Sequence, residues 1–256
     1  MLKYFDSSKV KNVDDRKRRM TLRHLLTMSS GLEWNATDFE NTGNAQNDTS
    51  QMEGSDDWVQ YTIDKPMAAE PGKVWNYNDG AAVLLAYIFQ KETGWDIDDY
   101  GQKYLFAPLG IRHEWKRSYL GVVDTEGGLY LTGSDLAKIG YLYLNDGIWD
   151  GRRIVSSKWV KEAVAPYLET DEPQVKYGYS GQWFMSKLPG RTEDVWLTDG
   201  FGYQELMVFP EDYLIVTLTG WRVLRNSPGK EPEPLDFLPL VNTKACAGMS
   251  VDAALK

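Results

Sequence analysis

Apolar residues recur at helical spacing through the first two-thirds of the chain, which predicts a series of short helices. The first has leucines on one face, and Thr21 can cap it while Gly31 can end it. The longest apolar segment, residues 81–92, is apolar on most faces, which predicts a buried helix ended by Gly94. The predicted helices are 21–28, 58–63, 81–92, 97–106, 134–144 (capped by Ser134) and 157–164 (capped by Ser156).

The pattern changes after about residue 170, where β-branched and aromatic residues are grouped in short runs. Residues 35–57 are rich in Asn, Asp, Thr, Ser and Gly, which predicts a long loop. Helices followed by strands indicate an α+β fold, in which an antiparallel sheet is flanked by helices beside a mostly helical region. The predicted strands are 177–185, 195–197, 203–209 and 213–218, with a hairpin turn at Pro210-Glu211-Asp212.

The elements are consistent with one domain over residues 1–256. We expect its helical region at about 21–170, its sheet at about 175–220 and a C-terminal tail at 221–256. The tail carries one further predicted helix at residues 251–255. A chain of this length can bury a sizeable core.

Composition narrows the classes of function. The 256 residues contain 28 Lys and Arg against 37 Asp and Glu, a net charge of −9 that argues against nucleic acid as the main partner. One cysteine, Cys246, and two histidines predict neither an internal disulfide nor a metal site, and we expect no cofactor. The apolar runs are shorter than the roughly 20 residues of a membrane helix. The charged stretch 9–19 follows the N-terminus directly, without the apolar core of a signal peptide.

Five segments, in this order along the chain, resemble one family. Together they are similar to the serine beta-lactamase and penicillin-binding-protein superfamily, closest to its class C-like branch of esterases, D-aminopeptidases and 6-aminohexanoate-dimer hydrolases. The resemblance implies a beta-lactamase or transpeptidase-like fold. It also implies hydrolysis of an amide or ester through an acyl-enzyme, and a periplasmic or extracellular location for the full-length protein. The segments are residues 21–32, 71–79, 105–111, 127–138 and 200–204.

The second segment carries the residue that the resemblance marks as catalytic. Tyr77 stands at the tyrosine of the family's Tyr-x-Asn-type motif, where it would relay a proton to or from the leaving group. Asp79 stands where the family often has Asn or Ser, and we expect Asn78 and Asp79 to contact substrate. Local sequence alone also admits a buried structural Tyr77 and an Asp79 that caps the helix at 81–92.

The fifth segment resembles the family's third motif, on an edge strand that would bind substrate through its backbone. We expect Phe201, Gly202 and Tyr203 to contact substrate. Phe201 and Tyr203 flank the glycine, so the motif has no cation to recognise a carboxylate. An amide or ester without a carboxylate therefore fits better than a beta-lactam.

The family nucleophile is a serine in a Ser-x-x-Lys motif on a helix, where the lysine shares its face. Ser8-Lys9-Val10-Lys11 lies in a charged surface segment, follows no strand and is too close to the Thr21 helix. Ser227-Pro-Gly-Lys230 places Pro and Gly where a helix is required. We therefore expect a family member without its N-terminal part, poorly stable alone and without covalent serine chemistry, or a non-catalytic binding relative.

Composition alone suggests a further alternative, a glycoside hydrolase with two catalytic carboxylates. The sequence shows no acidic pair beyond helix caps and surface positions. Most of the 10 tryptophans are expected in the core. His24, between apolar helix residues, is expected to be structural, and His113 has no partner visible in the sequence.

Overall fold

The computed structural model of the protein describes residues 1–36, 46–170, 177–188, 190–202 and 204–220. Helices dominate up to residue 163, and a sheet follows. The α-helices in these ranges are α1 Asp15–Arg19, α2 Leu22–Leu26, α3 Asp48–Glu53, α4 Trp58–Asp64, α5 Asp79–Thr93, α6 Ile97–Gly101, α7 Gly133–Leu144 and α8 Ser157–Ala163. A 3₁₀ turn covers Leu2–Tyr4, and a π-helical turn covers Gln102–Phe106.

The principal sheet is antiparallel throughout, and its six described strands run in the order β10-β9-β8-β7-β6-β5. Two small two-stranded ribbons pair β1 with β2 and β3 with β4. The predicted α+β class is therefore confirmed. The strands are β1 Glu114–Trp115, β2 Leu129–Tyr130, β3 Ile148–Trp149, β4 Arg152–Arg153, β5 Leu168–Glu169, β6 Gly178–Ser180, β7 Trp183–Ser186, β8 Val195–Gly200, β9 Gln204–Phe209 and β10 Leu214–Thr219.

Most of the predicted helices are confirmed, with shifted ends. Thr21 caps α2 in a reciprocal capping box with His24, so His24 is structural as expected. The predicted loop at 35–57 is partly wrong, because Asn47 caps α3 within it. The cap of α7 is Thr132 and not Ser134. The predicted helix 97–106 is divided into α6 and the π-helical turn.

The predicted strand 177–185 is two strands. Gly181 and Gln182 take positive φ angles of 52° and 70°, and they turn the chain between β6 and β7. The hairpin at Pro210-Glu211-Asp212 is confirmed, and Tyr213 completes it with φ 52°. The predicted tail helix at 251–255, with Cys246, lies outside the described residues.

The sheet buries both of its faces. Leu206 and Val208 of β9 point to the face covered by α7 and α8, and Met207 and Phe209 point to the other. Gly140 lets α7 approach the sheet closely, because a Cβ there would lie 2.9 Å from Leu206 Cδ1. Of the helices in the described ranges, none combines the length and the apolar character needed to cross a bilayer.

The N-terminal segment is fastened to the helical region by one buried side chain. Lys17 of α1 is fully buried, and its Nζ donates to the carbonyls of Lys11, Ile63 and Lys65 at 2.9, 2.8 and 2.6 Å. An ammonium has three N–H donors, so these contacts use all of them. Burial lowers the pKa of Lys17 to about 8, against the opposing effect of Asp64 and Asp14. Lys17 thereby ties the first helix to the end of α4.

Candidate active site

The start of α5 positions the central residue of the site. The Asn78 side chain accepts the Ala81 N–H at 3.0 Å, so Asn78 is the N-cap and Tyr77 is the residue just before the cap. Asp79 is the first helical residue, and its predicted role as the cap is wrong. Gly80 sets how closely the helix can pack, since a Cβ there would lie 2.4 Å from Thr62 Oγ1 of α4. The close packing of α5 against α4 therefore fixes the position of the start of α5, and with it the position of Tyr77.

Tyr77 lies in an aromatic cluster between α5 and the sheet. Its ring stacks on Phe184 of β7 at 6.5 Å and 14°, and it meets Trp75 at 6.3 Å. Tyr179 of β6 contacts Phe184 edge-on at 4.7 Å. Tyr77 is only partly buried, whereas Tyr179 is buried. Packing therefore holds the Tyr77 ring in place, while part of the Tyr77 surface stays accessible to solvent.

The electrostatic surroundings of the Tyr77 hydroxyl are acidic. Burial raises the pKa of Tyr77 well above its usual value, and the nearby Asp79, Glu126 and Asp199 raise it further. These acidic groups come from the start of α5, from the loop before Gly127-Gly128 and from the end of β8. The phenol is therefore neutral at physiological pH, able to donate a hydrogen bond and to return a proton. Glu126 and Asp199 each immediately precede one of the family-like segments, and Asp79 belongs to a third.

Asp79 is a buried carboxyl group, and among the described residues Thr49 is its side-chain donor. Its Oδ2 accepts the Thr49 hydroxyl of α3, and the residue is 3% exposed. Burial raises the pKa of Asp79 to about 6, the Thr49 hydrogen bond opposes the rise, and Glu53 and Asp124 add to it. Burial, followed by Asp79, Asp124 and Glu53, also raises the pKa of Glu126. The site thus holds negative charge at a cost in folding free energy.

We expect Asp79→Asn to make the protein more stable at neutral pH. An acid whose folded pKa lies above its unfolded value loses stability as pH rises from about 4 to about 6 and does not regain it above. Asparagine carries no charge to bury, so the free energy of unfolding at pH 8 should rise by about 1–3 kcal/mol. Urea unfolding at pH 4 and pH 8 measures the difference. Equal stability of the two proteins at pH 8 would contradict the assigned burial cost.

The third motif forms the turn between β8 and β9 and not an edge strand. β8 lies between β9 and β7 in the sheet, so the edge-strand prediction is wrong. Phe201 is 55% exposed, and Gly202 has φ 80°, a left-handed conformation that favours glycine. Gln204 Nε2 donates to the Gly202 carbonyl at 3.2 Å and braces the turn. Tyr203 lies outside the described residues.

The residues predicted to contact substrate differ in how accessible they are in the structure. Asp79 lies beside Tyr77, and the turn with Phe201 and Gly202 follows directly on Asp199 at the same end of β8. Asn78 is 1% exposed and uses its oxygen as a helix cap, while its Nδ2 meets no acceptor among the described residues. Contact of these residues with substrate stays a prediction.

Ser8 has none of the surroundings of a nucleophile. It is exposed on a turn, and its hydroxyl donates to Asp6 Oδ1 at 2.6 Å. Lys11 is not on a shared helix, and its Nζ pairs with Asp64 at 3.5 Å. Ser227 lies outside the described residues. The Ser8 motif therefore lacks the shared helix on which the family motif places its serine and lysine.

Sequence reasoning missed several residues near the site. Thr49 belongs to α3, which is predicted as a loop because its sequence is polar. The signal that could have revealed the helix is Asn47, a favoured N-cap residue whose side chain accepts the Ser50 N–H. Glu126 sits beside the glycine pair, and no local pattern marked it. His113 has a partner, contrary to expectation: its Nε2 lies 2.6 Å from Asp98 Oδ1. In the described part of the chain, no group of three or more His, Cys, Asp or Glu side chains could hold a metal ion.

Comparison with known proteins gives a consistent result. The Beta-lactamase family model matches residues 3–235 of the chain. A penicillin-binding protein of Bacillus subtilis (strain 168) is 24% identical over 223 residues, 74% of this chain and 48% of its own length. The 6-aminohexanoate-dimer hydrolase of Paenarthrobacter ureafaciens is 28% identical over 149 residues, 54% of this chain and 37% of its own. The chain therefore spans about half the length, or less, of these relatives.

Solved structures share the fold. A D-stereospecific amidohydrolase from Streptomyces sp. superposes with a TM-score of 0.58 at 19% identity, covering 82% of this chain and 70% of that one. At this identity the likeness concerns the fold alone. It agrees with the helices and antiparallel sheet described above.

Proposed function

The chain belongs to the Beta-lactamase family, and we propose that it is part of a serine hydrolase that cleaves an amide or an ester through an acyl-enzyme. The observation that carries the proposal is the setting of Tyr77. Its ring packs against Phe184 and Trp75 at the start of α5, and burial together with Asp79, Glu126 and Asp199 raises the pKa of its hydroxyl. The relatives named as a penicillin-binding protein and as a 6-aminohexanoate-dimer hydrolase support the same class of chemistry.

In the proposed reaction Tyr77 handles the proton of the leaving group. Acylation expels an amine or an alcohol, which leaves as a neutral molecule only if a proton reaches it. A phenol kept neutral by burial and by nearby carboxylates is a donor at physiological pH. In acylation Tyr77 takes the proton that the nucleophilic serine gives up as it passes its own to the leaving group, and in deacylation it relays a proton of the attacking water back to the serine oxygen, so the phenol is neutral after each step. Packing against Phe184 and Trp75 holds the ring in one orientation for both steps.

The charge of the site bears on the substrate. Asp79 and Asp199 act on Tyr77, as does Glu126, whose pKa is raised to about 9 so that it is uncharged at neutral pH, and the described part of the third motif, Phe201 and Gly202, supplies no cation. A substrate carboxylate would meet like charges at short range, which is unfavourable in a partly desolvated site. We therefore favour an amide or ester that carries no carboxylate close to the scissile bond over a beta-lactam.

The proposal assigns no nucleophilic role to Ser8. Its exposed turn and its hydrogen bond to Asp6 offer no base to activate the hydroxyl. We expect a fluorophosphonate probe and a penicillin probe to leave Ser8 unlabelled when the chain is digested and mapped by mass spectrometry. Stoichiometric acylation of Ser8 would contradict this assignment. Ser8→Ala serves as the matched control, since it should label like the unchanged protein.

The hydrolase proposal is tested on the protein expressed from its own gene in its native host. p-Nitrophenyl esters and D-amino acid p-nitroanilides are offered alongside nitrocefin, which carries a carboxylate. We expect a burst of released chromophore with an ester or an anilide, and turnover of nitrocefin at least about tenfold slower. Absence of both burst and turnover with all three classes would overturn the proposal.

The setting of Ser8 also favours a second candidate, a non-catalytic binding relative of the same fold. Such a protein would keep the residues around Tyr77 and bind an amide or ester without cleaving it. Saturable binding in calorimetry, without release of chromophore, would favour this candidate. The family match disfavours the carboxylate-based glycoside hydrolase suggested by composition.

A further inference from the structure

Helix α3 is held in place by hydrogen bonds from its first turn to α4 and to Asn35. Asp48, in its first turn, is 6% exposed and accepts from Lys65 Nζ and, at 2.6 Å, from the Tyr61 hydroxyl, both at the side of α4. Its other oxygen accepts the Asn35 N–H at 2.7 Å. Three contacts, two from the side of α4 and one from Asn35, therefore fix the position of α3, which the composition of the chain marks only as a polar loop.

This anchoring places the hydroxyl of the next residue. Thr49 is 3% exposed, and its Oγ1 donates to Asp79 Oδ2. An ionised carboxylate can only accept hydrogen bonds, so the hydroxyl must be the donor when Asp79 is charged. Because Asp79 is the first residue of α5, the contact joins α3 to the turn of chain that carries Tyr77.

We infer that Thr49 is a positioning residue for the proposed reaction: its hydroxyl orients the Asp79 carboxylate at the start of α5 and favours its charged form. The inference rests on the proposed function. Thr49 acts through Asp79 and need not touch the substrate. Its effect should therefore appear in how the reaction depends on pH rather than in a uniform loss of rate.

The groups that face Asp79 come from every element packed around it. Glu53 of α3 and Asp124 and Glu126 of the loop before Gly127 disfavour its charge. Tyr77 and Tyr179 also lie close enough to interact with it, and both have a raised pKa in its presence. Among the described side chains with the largest effects on Asp79, Thr49 is the one that favours the carboxylate. Loss of its hydroxyl should therefore raise the pKa of Asp79.

The test is the pH profile of kcat/KM for Thr49→Val, which keeps the shape and removes the hydroxyl. We expect the acidic limb to move up by about one pH unit, since a hydrogen bond to the charged form is lost. Activity then falls roughly fivefold at pH 6 and stays within about twofold at pH 8.5. Thr49→Ser, which restores the hydroxyl, should return the limb to its original position, and Asp79→Asn should abolish the limb.

Thr62→Val is the matched control. Thr62 is as buried as Thr49, but its hydroxyl donates at 2.8 Å to the Trp58 carbonyl in its own helix and does not contact Asp79. It should leave the limb in place. A loss of activity in Thr49→Val that is equal at all pH values, or an equal shift in Thr62→Val, would overturn the inference.

A second readout separates this inference from the proposed function. Asp ¹³Cγ resonances are titrated by NMR in the unchanged protein and in Thr49→Val, and Asp79 is assigned by its loss in Asp79→Asn. The midpoint of Asp79 should rise in Thr49→Val whether or not any substrate is cleaved. An unmoved midpoint would overturn the role of Thr49, while a raised midpoint in a protein without turnover would overturn the hydrolase proposal only.

Discussion

Tyr77→Phe lowers kcat/KM for the ester or amide substrate by about a hundred- to ten-thousand-fold, the usual contribution of a positioned acid or base. Phenylalanine keeps the stacking on Phe184 and the contact with Trp75, so the fold should be unchanged. The substitution removes the hydroxyl that would pass a proton to the leaving group. Steady-state kinetics with a p-nitrophenyl ester and with an anilide measure the change, and the anilide, whose leaving group is poorer, should lose more.

The control for Tyr77→Phe is Tyr179→Phe. Tyr179 is buried in the same aromatic cluster, and its hydroxyl donates to Gln182 Oε1 at 3.3 Å. Its replacement removes a hydroxyl of the same kind without removing the proposed proton relay. An equal loss in the two variants, or full activity in Tyr77→Phe, would show that Tyr77 is structural and would reinstate the alternative that local sequence also allows.

Lys17→Met should destabilise the protein by about 1–3 kcal/mol, because the loss of three hydrogen bonds is partly offset by removing a buried charge whose pKa is lowered to about 8. Methionine fills a similar volume, but it leaves the carbonyls of Lys11, Ile63 and Lys65 without their donor. Each lost hydrogen bond of this kind is worth about 1 kcal/mol, and a charged donor is worth more. The change is measured as the free energy of unfolding in urea at pH 7, where Lys17 carries its proton because its pKa is about 8.

Arg18→Met is the control for Lys17→Met. Arg18 is the next residue of α1, its side chain is largely exposed, and it pairs with Asp15 at 3.0 Å. An exposed ion pair contributes at most about 1 kcal/mol, so this variant should stay close to the unchanged protein. If both variants had the same stability, the three carbonyl contacts of Lys17 would not be stabilising.

Much of the fold follows from local patterns. The spacing of apolar residues predicts α4, α5 and α8 to within about two residues, and the turn residues predict the last hairpin. The misplaced features depend on contacts distant in sequence. α3 has a polar sequence, and its buried Asp48 and Thr49 are matched by Lys65, Tyr61 and Asp79. No window of sequence contains those partners, so composition favours a loop.

The candidate site, like the fold, has some features that local sequence predicts and others that depend on residues distant in the chain. The family-like segments led to Tyr77 and Asp79, and the beta-lactamase resemblance itself is confirmed by the family match. The acidic setting of Tyr77 depends on Glu126 and Asp199, about 50 and 120 residues further along the chain. The sheet order, which places β8 between two other strands, likewise cannot be derived from the motif.

The buried carboxyl of Asp79 has a consequence for molecular evolution. A residue that lowers stability persists only while selection for activity outweighs it. In a lineage released from that selection, genetic drift would admit Asn at position 79, because the folded protein would gain stability from it. Because the family often has Asn or Ser at this position, an Asp retained among the orthologues of this protein would indicate that the carboxylate itself is under selection, whereas Asn would not distinguish an active from an inactive lineage.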